Sequence, residues 1–215
     1  WERTSDILTI VTPLLVGGPA FWDGVMKDVA ASKDDLRPMI MACAITEPTA
    51  GTDVEHHELV RTAKLVSHAV KVDGGYRLSG VKHFISNGNI ARWITVIMPV
   101  DPKHPYETTM GFLVGNDSPG FSVTKVEHKM GQRSSPAAEL TFDNVFVPNE
   151  HVIGRPGDGT PMIAGVLAGS RPVVGGIATG IARGAYERLL EWLENDPAAA
   201  GVIDRQQVQI ALAKM

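Results

Sequence analysis

The sequence has 215 residues, 44% of them hydrophobic and 20% charged, with a net charge of −4. That balance belongs to a globular chain long enough for one large or two small domains, and the absence of a basic stripe argues against nucleic acid as a partner. The single cysteine, Cys43, excludes an intrachain disulfide framework and fits a reducing compartment, and neither a secretory signal nor an uninterrupted apolar run of about 18 residues is visible.

Residues 1–38 carry short apolar stretches broken by Pro13, Gly17-Gly18-Pro19 and Pro38. They read as the tail of a helical region and its exit loop. Residues 39–153 read as strands: Ile40 to Ile45, Tyr76 to Leu78 after the turn signal Asp73-Gly74-Gly75, Trp93 to Val100, Gly111 to Val114, Phe121 to Val126 and Glu139 to Val147. Short strands separated by Gly, Pro, Asn and Asp predict an antiparallel barrel or sandwich. Glu55 to His68 is compatible with a short helix or with a strand. From residue 157 to 194 the period changes. Met162, Ile163, Val166, Leu167, Ile177, Ile181, Leu189 and Leu193 recur at helical spacing, and Gly176, Gly180 and Gly184 form a small-residue stripe. A membrane reading of that stripe is countered by Arg171, Arg183, Glu187 and Arg188. Asp196-Pro197 ends the helix, and a second helical pattern runs from Gln206 to Met215. The start at Trp1 and the helical pattern still running at Met215 lead to the expectation of a fragment.

Three segments can carry chemistry. Ile45 to Asp53, ITEPTAGTD, is a strand end followed by small residues and hydroxyls. Its backbone N–H groups and hydroxyls suit anionic or carbonyl oxygens; taken alone it is an ordinary loop. Gly80 to Gly88, GVKHFISNG, places an aromatic two residues before a hydroxyl. In a strand both point to one face, so a planar ligand can stack on Phe84 while Ser86 bonds its edge. Taken alone, it is a strand with a core aromatic and a hairpin turn at Asn87-Gly88. Ser170-Arg171 lies in the helical region, where the arginine either holds an anionic or carbonyl group or partners a carboxylate. The seven histidines lack metal-ligand spacing, so no metal site is expected. No P-loop and no Gly-x-Gly-x-x-Gly fingerprint is present.

The order of these motifs resembles the acyl-CoA dehydrogenase family over nearly the whole chain. ITEPTAGTD (45–53), GVKHFISNG (80–88), HKMGQRSSPAAELTFDNVFVPNEHVIG (128–154) and SRPVVGGIATGIARGAYE (170–187) occur in that family's order. The resemblance implies an α+β multi-domain fold: an antiparallel β-barrel or sandwich middle domain at 39–153, the tail of an N-terminal helical domain at 1–38, and the start of a C-terminal helical domain at 154–215. It implies FAD, contacted by Cys43, Ile45, Thr46, Gly51, Thr52, Phe84, Ile85, Ser86 and Gln206. Ile45 and Thr46 would serve the flavin pyrimidine edge, Ser86 would stand where a threonine approaches flavin N5, and Gln206 would reach the FAD of a neighbouring subunit. Thr52 and Arg171 would meet the acyl-CoA substrate.

The implied reaction is α,β-dehydrogenation of an acyl-CoA thioester to the trans-2-enoyl-CoA, with hydrogen bonds to the thioester carbonyl acidifying the α-carbon. Same-fold alternatives are an acyl-CoA oxidase, a flavin monooxygenase or a non-catalytic partner subunit. Further expectations are electron-transfer flavoprotein as acceptor, a homodimer or homotetramer, and a cytoplasmic or mitochondrial-matrix location. The chain departs from the family pattern at three points. The catalytic glutamate is expected beyond Met215, and the minority position for it holds Ser170, which has no useful basicity at neutral pH. An Arg-x-x-Phe-Gly motif is replaced by ENDPAAAGVI (194–203), and residues 54–75 form a longer loop than usual. The chain alone is therefore expected to be inactive.

Overall fold

The computed structural model describes Lys27 and residues 40–215. The helical tail expected at 1–38 thus lies outside the described residues, apart from Lys27. Two compact units divide the chain, one ending at Ala168 and the other running Gly169–Met215.

The first unit holds β1 (Met41–Ala44), β2 (His68–Val72), β3 (Gly75–Ser86), β4 (Trp93–Pro99), β5 (Thr109–Gly115), β6 (Phe121–Val126), β7 (Ala137–Pro148) and β8 (Val152–Ile153). They form two four-stranded sheets, ordered β1-β4-β5-β8 and β2-β3-β7-β6. The pairings are antiparallel except β1 with β4, which is parallel, Met41 facing Trp93. A parallel pair needs a long crossover. Here the chain leaves β1, builds β2 and β3 in the other sheet, and returns as β4. The architecture is therefore an open two-sheet sandwich rather than a closed barrel.

Alternation supplies the core. Ile94, Val96 and Met98 of β4 and Met110, Phe112 and Val114 of β5 face Tyr76 and Leu78 of β3 and Leu140, Phe142, Val145 and Val147 of β7. Tyr76 meets Phe112 edge-on across the sheets at 5.3 Å. The apolar run of β4 arises because both of its faces are covered: Thr95 and Ile97, pointing away from that core, are buried too.

The six predicted strands form close to their expected positions, and β2 and the two-residue β8 are additions. Gly74 (φ +74°) closes the tight connection from β2 to β3, as the turn signal suggests. Asn87-Gly88 does not make a hairpin. Ala91 N–H donates to the Asn87 carbonyl at 2.9 Å, and this single turn sends the chain to β4 in the other sheet. Residues 55–68 are neither one helix nor one strand; two 3-10 turns, Thr52–Glu55 and Leu59–Thr62, precede β2. A short helix α1 (Pro105–Thr108) joins β4 to β5.

Helix α2 (Gly159–Asn195) starts in the first unit, where Met162, Ile163 and Val166 are buried. By length and composition it is long and apolar enough to cross a membrane; Arg171, Arg183, Glu187 and Arg188 lie along it. In the second unit it exposes Val173, Val174, Ile181 and Trp192, and among the described residues nothing approaches a side chain added at Gly176, Gly180 or Gly184. Asp196 follows it and accepts the Ala198 N–H at 2.8 Å, starting a 3-10 turn. Helix α3 (Gln206–Lys214) completes the unit.

Candidate functional site

The chain leaving β1 turns at Ile45 toward β3 in the opposite sheet. His83 N–H donates to the Thr46 carbonyl at 2.9 Å, and the Thr46 hydroxyl donates to the His83 carbonyl. Two segments 37 residues apart are thereby locked side by side. Glu47 and Ala50 then close a tight turn through paired backbone hydrogen bonds of 2.8 and 3.2 Å.

Beneath this junction lies an ion pair. Lys82 Nζ donates to Glu47 Oε1 at 2.9 Å and to the Ile45 carbonyl at 2.8 Å. Glu47 Oε2 accepts the N–H groups of Val66 and Ser67 at 2.8 and 3.1 Å. Both side chains are 1% exposed. Burial pulls the Lys82 pKa down, opposed by the carboxylate beside it. Glu47 is thus fully engaged by hydrogen-bond donors and is no candidate for a free base. Its neighbour Cys43 is a partly buried thiol on β1 whose pKa desolvation pushes up to about 12; it is protonated at neutral pH and serves only as a weak donor.

β3 carries a bulge at the site. Its pairing with β7 steps from Lys82–Leu140 to Ile85–Ala138, three residues against two, so one extra residue is inserted. Phe84 takes up the irregularity with φ +60°, a strained value for an aromatic residue. Consequently His83 and Phe84 do not point to opposite faces. Their rings stack in parallel, centroids 4.0 Å apart and planes 5° off. Phe84 is 64% exposed, so it is not a core aromatic, while Ile85 is buried. Ser86 is exposed again, so alternation resumes after the bulge and Phe84 and Ser86 flank a buried residue. His83 Nε2 lies 2.8 Å from Glu127 Oε1, which also meets Lys125 Nζ at 2.9 Å.

The fold therefore brings Ile45, Thr46, Phe84, Ile85 and Ser86 into one neighbourhood. Each offers something different. The Ile45 and Thr46 carbonyls are already committed to Lys82 and His83, and Ile85 turns its side chain to the core, leaving only main chain for a ligand. Among the described residues, the Thr46 N–H and the Ser86 hydroxyl have no partner. Gly51 N–H is taken by the Asp53 carboxylate at 2.7 Å, and Thr52 is exposed. Arg171 and Gln206 belong to the second unit and are exposed there. Lys82, His83 and Glu127 escaped the sequence reading, since an isolated Lys or His in a strand looks like a solvated side chain; only the buried Glu47 makes sense of Lys82.

An exposed aromatic face on a strained bulge, beside an open backbone donor and a free hydroxyl, suits a flat heteroaromatic ring with a hydrogen-bonding edge. Residues 42–145 match the family model "Acyl-CoA dehydrogenase, middle domain". The chain is 31% identical over 195 residues to a probable acyl-CoA dehydrogenase, FadE25, of Mycobacterium tuberculosis, covering 89% of this chain and 50% of that protein. It is 32% identical over 168 residues to the short-chain-specific acyl-CoA dehydrogenase of Clostridium acetobutylicum, covering 78% and 42% respectively. The solved structure of butyryl-CoA dehydrogenase from Megasphaera elsdenii superposes with a TM-score of 0.83 at 25% identity, over 99% of this chain and 53% of that one. The chain belongs to the acyl-CoA dehydrogenase family. It spans about half the length of the curated relatives it matches.

Proposed function

We propose that the Thr46–His83 junction forms one wall of an FAD site in an acyl-CoA dehydrogenase that converts an acyl-CoA thioester to its trans-2-enoyl-CoA. The observation carrying this reading is the pair of hydrogen bonds between Thr46 and His83, which sets the turn after Ile45 beside Phe84 and Ser86. When bound, FAD supplies the hydride acceptor. The chain's own residues bind and orient. Thr46 N–H donates to the ring edge, Phe84 offers an apolar face, and the Ser86 hydroxyl supplies a further hydrogen bond.

The Lys82–Glu47 pair fixes the Ile45 carbonyl and so the pitch of this wall, a preorganisation that lowers the cost of binding. Cys43 and Gly51 lie along the same segment, and Thr52 and Arg171 are assigned to acyl-CoA and Gln206 to FAD by family likeness. An electron-transfer flavoprotein as acceptor, a homo-oligomeric assembly and a cytoplasmic or mitochondrial-matrix location belong to the same proposal.

The test is optical. The whole protein is expressed, its flavin spectrum recorded, and acyl-CoA of graded length added anaerobically. Bleaching of the oxidised-flavin absorbance by at least one acyl-CoA is expected; bound flavin that no thioester bleaches sinks the dehydrogenase reading. Fast reoxidation of the bleached flavin by O₂ would assign the site to an oxidase instead.

A further inference from the structure

We propose that His83, anchored by Glu127, is a positioning residue that fixes the plane of the Phe84 ring. The inference rests on the flavin-site reading above and deepens it.

In a regular strand neighbouring side chains point to opposite faces, so residues 83 and 84 should never touch. The bulge between Lys82 and Ile85 and the left-handed φ of Phe84 remove that rule here. The two rings lie parallel at 4.0 Å, 5° apart. Phe84 is 64% exposed, and an exposed phenyl ring without support samples several rotamers. His83 is immobilised from both ends. Its N–H and carbonyl are both held by Thr46, and its ring nitrogen Nε2 is 2.8 Å from Glu127 Oε1.

Charged groups face His83 from two strands. Glu127 follows β6, and Glu139 of β7 places Oε2 3.9 Å away. Lys125 of β6 acts through Glu127 at 2.9 Å. The hydrogen bond from His83, then that from Lys125, holds the Glu127 carboxyl below its usual range, consistent with a firm anchor. One face of Phe84 is thus occupied by an immobilised imidazole, and a planar ligand arrives at a ring whose orientation is already fixed, which spares the ordering entropy of binding. Nothing in this arrangement moves a proton; the contribution is geometric.

The experiment has two arms on the whole protein. In the first, the flavin is removed and histidine is labelled with ¹³C at Cε1. Ring-current shielding by Phe84 is expected to move one histidine signal upfield, to vanish in Phe84→Leu, and to weaken in Glu127→Gln; no shielded signal overturns the proposal independently of any flavin. In the second, FAD is titrated back by fluorescence quenching. His83→Ala is expected to raise the dissociation constant roughly fivefold, of the order an aromatic contact contributes, and His83→Phe, which keeps a stacking ring, to restore most of it. Should His83→Ala bind FAD as wild type does, the inference fails while the flavin reading stands. Should no form, wild type included, bind FAD, the flavin reading fails and the inference with it. Circular dichroism of His83→Phe and Glu127→Gln separates these outcomes from misfolding.

Discussion

Lys82 and Glu47 meet at 2.9 Å with both side chains 1% exposed, and the three backbone groups they also hold come from two other stretches of chain: the Ile45 carbonyl, and the adjacent Val66 and Ser67 N–H groups. A buried ion pair is a poor source of net stability because each charge loses its hydration. Its use here is registry. It ties the exit of β1, the entry to β2 and the middle of β3 at one point.

Breaking one side of this pair strands the other charge. Glu47→Ala or Lys82→Met is expected to cost about 3–5 kcal/mol, read as a shift in the urea midpoint. The double replacement Lys82→Met with Glu47→Leu should recover only part, because the Val66 and Ser67 N–H groups lose their acceptor. Full recovery would mean the carboxylate does not hold that backbone.

Phe84 and Phe142 should answer truncation differently. Phe142 is 2% exposed in the shared core, and Phe142→Ala is expected to cost about 3–5 kcal/mol. Phe84→Gly should fall within about 1 kcal/mol of wild type, because relief of the φ +60° backbone strain offsets the lost stack. The same change should weaken FAD binding. Thermal melts and flavin titration on the two variants check both halves.

Gly80 has φ +137°, and a Cβ there would lie 2.4 Å from the Ser67 hydroxyl oxygen and 2.5 Å from its Cα. Backbone cannot yield as a flexible side-chain tip can. Gly80→Ala is expected to destabilise by about 2–3 kcal/mol and to displace Ser67, whose N–H is bound to Glu47. Hydrogen exchange at Ser67 and Val66 should accelerate in the variant; unchanged protection would contradict the contact.

The pH dependence follows from Glu127. Its folded-state pKa lies below the ordinary 4.5, first because of the hydrogen bond from His83 and then because of Lys125. A depressed carboxyl pKa stabilises the fold above the unfolded value, and that contribution is lost as pH falls through the folded one. Wild type and Glu127→Gln should therefore differ at neutral pH and converge as the solution is acidified below 4.5. Parallel melting curves down to pH about 3, below the ordinary carboxylate range, would count against the pairing.

Much of the sandwich is legible in the chain. Apolar patterning and turn residues place six of the eight strands, β1 and β3 to β7. A strand with one buried face alternates, a strand covered on both faces such as β4 reads as a continuous apolar run, and tight turns favour Gly, Asn or Asp. Three elements evade that logic. β8 is two residues long, too short for any period; β2 begins at His68, where a segment ends whose local pattern suits helix and strand alike; and ahead of it the chain forms the 3-10 turns Thr52–Glu55 and Leu59–Thr62. The hairpin expected at Asn87-Gly88 became a crossover because β4 finds its partners, β1 and β5, in the other sheet; pairing across the fold outweighed local turn preference.

By itself the sequence determined the order of motifs, the aromatic-hydroxyl pair Phe84 and Ser86, and the change of period near residue 157, since these depend on side-chain chemistry and spacing along one segment. Only the tertiary structure decided that Thr46 hydrogen-bonds to His83, that Glu47 is spent on Lys82 and two backbone amides, and that His83 lies flat against Phe84. The reason is physical: such contacts join residues far apart in the chain or depend on a one-residue bulge, and a bulge is set by register against a neighbouring strand, which no local pattern encodes.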